Sequence, residues 1–322
     1  MEPLNTRDLS ITPSNRLSHI MRRHPLVCYF LLAFGFTWAY ELTVYRVLLT
    51  PGFSLGGALL DLGFTLGPTL AAFLMTAVTQ GRTGILQLVR RYVLWRVGLP
   101  WYLLVFLGVP ALLLIAVLPL PGALSAFHLP ALSFWPNYLL FYLLFLVAEG
   151  PLGEEPGWRG FALPRLEQRS GPLVGTLLLG GLWGLWHLPL FFIPGTDFYG
   201  VSFGTGFVGH LFGSIPFVIW TIALAVIFTW VFNNTRGSLG LSMLLHASIN
   251  TAPFVLLPAL FPSPPLTTLF FLSWILVWVV VALLVIAATR GRLSYQRYLR
   301  ETTRLSPGTD REQEKSAVRT SI

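Results

Sequence analysis

Glu154 and Glu155 form a carboxylate pair, with Arg159 four residues after the second, in the run Phe145-Leu-Val-Ala-Glu-Gly-Pro-Leu-Gly-Glu-Glu-Pro-Gly-Trp-Arg-Gly-Phe161. Only 13 of 322 residues are acidic, and six of them lie in the two tails. Two histidine motifs follow: His187 in Trp183-Gly-Leu-Trp-His-Leu-Pro, and His246 with Asn250 in Leu244-Leu-His-Ala-Ser-Ile-Asn. A glutamate in a low-dielectric cavity binds its proton more tightly and can serve as general base toward water. A neighbouring histidine can share that water and shuttle the proton. A second histidine and an asparagine amide can donate to the oxyanion of a tetrahedral intermediate. Arg159, one helical turn after Glu155, can pair with it. Two histidines and a glutamate also suit zinc, although no HExxH motif is present.

The elements that carry these groups belong in a membrane. The chain is 54% hydrophobic and 11% charged, against about 25% charged in soluble domains. Its net charge of +8 is almost all arginine, since Lys315 is the single lysine. In such a chain that charge reads as orientation and contact with anionic lipid, not nucleic-acid binding. The expected fold is all-α and polytopic, with about eight transmembrane helices near 26–49, 57–79, 101–120, 134–153, 173–193, 207–232, 239–260 and 267–288. Arginines fall in alternate connections: Arg22 and Arg23, then Arg82 to Arg96, then Arg159, Arg165 and Arg169, then Arg236, then Arg290 onward. Eight spans with both termini in the cytoplasm satisfy the positive-inside rule at every loop. The domain plan is a polar tail over 1–24, a membrane domain over 25–289 with the chemistry at 134–257, and a polar tail over 290–322. Both tails read as partly disordered.

Spacing brings the polar groups together. Ser170-Gly171-Pro172 is a turn signal, and Glu154 and His187 are almost equidistant from it. His246 and Asn250 share a face of the seventh span, roughly 12 and 18 Å from its start near Ser238 at about 1.5 Å per residue. The four groups are thus expected in the cytoplasmic half, around a cavity open to the cytoplasm. Pro156 leaves two options: a kink just after the carboxylates, or a new helix that begins there.

The series Glu-Glu-x-Gly-Trp-Arg-Gly-x-x-x-Pro-Arg-Leu, aromatic-x-x-x-His and His-x-x-x-Asn resembles the type II CAAX prenyl endopeptidase family, within the wider group of CAAX proteases and bacteriocin-processing enzymes. The resemblance covers about 134–257 and implies a glutamate-dependent intramembrane endopeptidase. By motif position it implies that Glu154 and His187 activate water, that His246 and Asn250 form the oxyanion site, and that Glu155 and Arg159 support them. Trp183 stands where the family usually has Phe. No cofactor is required on this reading. A divalent metal such as zinc, if present, would sit at Glu154, His187 and His246.

Other polar residues read as structural. Glu41 is expected to pair with Arg46 or reach the interface, Asp61 to mark the outer end of a span, and Glu149 to have no assigned role. Trp38, Trp95, Trp101, Trp135 and Trp220 read as interfacial, and Trp274 and Trp278 as packing. Cys28 reads as packing and excludes an internal disulfide. The expected partners are membrane lipids and a hydrophobic or lipidated peptide substrate, in a prokaryotic plasma membrane. Two other functions fit a membrane chain of this kind: a non-catalytic scaffold, and a proton-coupled transporter using the carboxylates and histidines as a relay. Against a transporter, the first half has no counterpart of these motifs.

Overall fold

A computed structural model describes residues 13–48, 55–194, 206–262 and 268–303. Among them the chain forms helices and turns, with no strand. An N-terminal helix, α1 (Pro13–Arg23), precedes α2 (Pro25–Leu48), which opens on a first-turn proline and widens to a π-helix at Glu41–Tyr45. α3 (Leu55–Tyr92) is interrupted at Gly81, whose φ of 63° separates the apolar portion from the stretch bearing Arg82, Arg90 and Arg91. α4 (Leu99–Val117) and α5 (Phe134–Ala148) follow, then a continuous helical run over 151–170 (α6). The remaining elements are α7 (Pro172–Phe192), α8 (Gly206–Asn234), α9 (Leu239–Leu260), α10 (Thr268–Thr289) and α11 (Tyr295–Thr303).

Among the described residues, seven helices are long and apolar enough to cross a membrane: α2, α3, α4, α7, α8, α9 and α10. The expected span over 134–153 does not form as one helix. α5 has 15 residues, about 22 Å at 1.5 Å per residue, which is short of the ~30 Å hydrocarbon core. It stops because Gly150 adopts φ 112°, a conformation that ends a right-handed helix and favours glycine. The tails are more ordered than their polarity implies at 13–23 and 295–303, which are helical; residues 1–12 and 304–322 lie outside the described residues.

The arginine-bearing connections gather at one end. Arg91 donates to the Gly160 carbonyl and the Tyr298 hydroxyl, at 3.3 and 3.1 Å. Arg236 donates to the Arg96 carbonyl, and Arg297 to the Asn234 amide oxygen at 3.3 Å. At the other end, the His128 amide binds the Leu260 carbonyl at 3.0 Å and Ser273 binds that of Ala116 at 2.7 Å. The alternation of arginines along the chain is therefore a real asymmetry of the folded molecule.

Small residues fix the packing of α7 on α8. A Cβ at Gly180 would lie 2.6 Å from the Ile222 Cα, and one at Gly184 would lie 2.9 Å from the Val218 Cα. Small residues four apart let helix backbones approach closely, which is how helices associate where lipid offers no hydrophobic driving force. Thr221 crosses the seam to the Gly180 carbonyl at 3.0 Å, and Thr176 to Thr229 at 3.0 Å. This contact sets the depth and rotation of Trp183 and His187.

Candidate active site

The carboxylates sit on a helix start. α6 opens at Gly150 with Pro151 in its first turn, where a missing N–H costs nothing, and the Glu154 amide binds the Gly150 carbonyl at 2.7 Å. The helix neither breaks nor begins at Pro156. It passes into a π-helix over Pro156–Ala162. Proline leaves the carbonyl four residues earlier without its helical donor. Here that carbonyl belongs to Leu152, and Thr69 of α3 donates to it at 3.4 Å.

The two glutamates have different partners. Glu154 Oε2 accepts from two indoles, Trp183 Nε1 at 2.6 Å and Trp158 Nε1 at 3.1 Å. Its Oε1 lies against Gly150, so close that a Cβ there would stand 2.4 Å away. Glu155 Oε1 accepts from Arg159 Nη1 and from His246 Nδ1, each at 2.8 Å. Glu155 and Arg159 are fully buried, and the guanidinium lies between the rings of Trp183 and Phe228, at 4.2 and 4.0 Å. Such stacking offsets part of the cost of burying a cation. Glu155 thus orients His246.

Trp183 joins the motifs. Its indole holds Glu154, and its carbonyl lies 2.9 Å from His187 Nδ1. A carbonyl only accepts, so neutral His187 carries its proton on Nδ1 and its lone pair on Nε2. Facing a carboxylate, His246 Nδ1 is likewise the protonated nitrogen. Asn250 lies one turn beyond His246 and donates from Nδ2 to the Glu149 carbonyl at 2.8 Å, tying α9 to the end of α5.

Glu154, His187, His246 and Asn250 line one cavity of about 230 Å³. The expected convergence of the three motifs therefore occurs. The direction of the cavity differs from expectation. Tyr45 at the end of α2, Asp61 near the start of α3, Leu190 and Phe254 line its outer part, and each lies in the half of its helix away from the arginine end. Exposure rises through Asp61, Glu149 and Asn250 to Phe254, at 39%. The groups share one cavity whose outer lining lies away from the arginine end; α6 begins at Gly150, directly after α5, and carries its carboxylates in its first turn.

Several quieter residues also change meaning. Glu41 is fully buried and makes no ion pair with the exposed Arg46; neither of its carboxylate oxygens has a partner among the described residues. Asp61 and Glu149 line the cavity, as does Trp220, which is 3% exposed instead of interfacial. Trp274 and Trp278 are buried packing residues, as read. The indole donors Trp158 and Trp183 and the cradle at Gly150 were not anticipated as parts of the site. Their spacing held the signal, since Trp158 is four after Glu154 and Trp183 four before His187, distances that bring side chains together on a helix.

Residues 134–252, which contain Glu154, Glu155, Arg159, His187, His246 and Asn250, match the family described as type II CAAX prenyl endopeptidase Rce1-like. The site-bearing stretch is thus similar to that family. The chain is also 31% identical over 150 residues to a curated protein of Methanococcus maripaludis, CAAX prenyl protease 2, covering 45% of this chain and 53% of the relative. The chain thus spans about half the length of the curated relative it matches. The family match lies in the part of the membrane region that carries the polar motifs.

Proposed function

We propose that the protein is an intramembrane endopeptidase that hydrolyses a peptide bond in a hydrophobic or lipidated, membrane-associated substrate. One observation carries this reading: a buried glutamate, held on one oxygen by two indole N–H groups, shares a cavity with two histidines whose Nδ1 atoms are both fixed. Glu154 Oε1 takes a proton from water as its oxygen bonds to the scissile carbonyl carbon, with His187 Nε2 accepting from the same water. The carbonyl oxygen becomes an oxyanion. His246 donates to it from Nε2 when both ring nitrogens are protonated, and Asn250 from the amide N–H not used on Glu149. The proton then passes to the amide nitrogen, the C–N bond breaks, and acid and amine leave.

Among the described residues, no three histidine, cysteine, aspartate or glutamate side chains are gathered closely enough to hold a metal ion. The arginine end is assigned to the cytoplasm of a prokaryotic plasma membrane by the positive-inside rule, which turns the cavity mouth toward the opposite half of the bilayer. Substrates approaching from that leaflet are then favoured. The relative from Methanococcus is named for a CAAX prenyl substrate; the apolar wall of Phe145, Phe217 and Phe254 suits a hydrophobic or lipidated segment of that general kind.

The test is cleavage of a quenched hydrophobic peptide library by the full-length protein in nanodiscs. Loss of cleavage is expected for Glu154→Gln and for His187→Ala. Wild-type rates in either variant would sink the assignment, and chelation reversed only by added zinc would replace the metal-free chemistry.

A further inference from the structure

A second cavity, of about 220 Å³, lies at the arginine end, away from the carboxylates. Arg91 and Arg165 line it together with Thr76, Gln80, Gln87 and Gln168. The lining contains no carboxylate, and neither arginine makes an ion pair among the described residues. Both guanidiniums are half-buried and held from behind. Arg91 donates to the Gly160 carbonyl and the Tyr298 hydroxyl. Arg165 donates to the Phe161 carbonyl at 2.8 Å and lies 3.7 Å over the Phe161 ring. Burial, and then the charge of Arg91, push the Arg165 guanidinium down to about 10. Two like charges fixed beside one polar cavity are costly unless an anion joins them.

We propose that this cavity is a binding site for a phosphate anion, seated between the Arg91 and Arg165 guanidiniums and rimmed by the glutamine amides. Arginine forks match phosphate oxygens with paired, charge-assisted hydrogen bonds. Three glutamine amides supply neutral donors and close the rim. The place in the fold fits a lipid headgroup, because basic pockets between helices at the cytoplasmic boundary bind anionic lipid. A free phosphate or phosphate ester has the same chemistry.

The experiment is isothermal titration of the full-length protein in neutral detergent with three probes: inorganic phosphate, short-chain phosphatidylglycerol and phosphatidylcholine of the same chain length. Saturable binding of one probe per protein is expected. Arg91→Gln and Arg165→Gln should each weaken it at least about tenfold, through loss of charge-assisted bonds. Arg169→Gln, at an exposed arginine outside the cavity, should leave it unchanged. Tighter binding of phosphatidylglycerol than of phosphate makes the ligand a lipid; equal binding makes it a free anion; either result supports the site. If an arginine variant does not fold, Gln87→Ala combined with Gln168→Ala, both at the exposed rim, must weaken binding instead. No saturable binding of any probe, or equal loss in Arg169→Gln, overturns the proposal.

Discussion

Replacing Gly150 by alanine tests whether the position of Glu154 Oε1 matters to the reaction. The new methyl would stand 2.4 Å from that oxygen and 3.5 Å from His246 Cε1. Ordinary C···O contacts are about 3.3 Å, so the carboxylate must retreat by about 1 Å. A misplacement of about that size can cost a factor of roughly 100 in rate. The substitution also strains a backbone held at φ 112°, by about 1–3 kcal/mol. Gly171→Ala separates the two effects. Gly171 has φ 77° and nothing within 4 Å of its would-be Cβ, so it carries the strain without the collision. The assay is single-turnover cleavage in nanodiscs of a peptide that the wild-type protein cuts, with thermal melts run alongside. The expected result is comparable melts for both variants, about 100-fold slower cleavage by Gly150→Ala, and near wild-type cleavage by Gly171→Ala. A folded Gly150→Ala protein that cleaves within about twofold of wild type would refute the assignment of Glu154 Oε1 to the reacting water.

Three further outcomes follow from the geometry. Trp183→Phe keeps the ring beside Arg159 but removes the 2.6 Å bond to Glu154; at about 1.5–3 kcal/mol for a hydrogen bond to a charged group, turnover should fall at least about tenfold, and unchanged turnover would show that the indole is dispensable. Glu155→Gln and Arg159→Met should each lower stability by about 3–5 kcal/mol, because each leaves its partner's charge buried; in a double-mutant cycle by thermal melts the combined variant should lose much less than the sum, and strict additivity would contradict the pairing. Glu167, in α6 beyond the spans, is buried and bonded by Asn233 at 2.7 Å, and burial pushes its carboxyl up to about 8. Its folded form holds the proton more tightly than the unfolded chain, so the stability it contributes is full below about pH 4.3 and lost as pH rises toward 8. Glu167→Gln should therefore melt progressively higher than wild type between pH 5 and 9, whereas a constant difference would argue against a proton on Glu167.

Much of the architecture was legible in the chain because the bilayer leaves little choice. Backbone polar groups must be satisfied within each segment, so long apolar runs become helices, and arginines collect on one side. Seven spans, the turn at Gly171 and the start of α9, where the Ser238 hydroxyl accepts from the Leu241 amide at 3.1 Å, follow from such local rules. The eighth segment fell short because one glycine with positive φ ends α5 early; hydropathy averages over such a residue. Pro156 was ambiguous for a similar reason. The donor that satisfies the freed Leu152 carbonyl comes from Thr69, 83 residues before it in sequence.

The types and spacing of Glu154, Glu155, Arg159, His187, His246 and Asn250 were enough to mark residues that the fold brings together in or beside one cavity, since ionisable groups in lipid are too costly to scatter. Tertiary packing decided who serves whom. The glycine seam between α7 and α8 sets Trp183 so that its indole reaches Glu154 and its carbonyl reaches His187. The rotation of α9 gives His246 to Glu155 and not to Glu154. Sequence spacing supplies which residues can share a helix face; hydrogen-bond direction and cavity orientation depend on how separate helices rotate against one another, and only the packed structure fixes that.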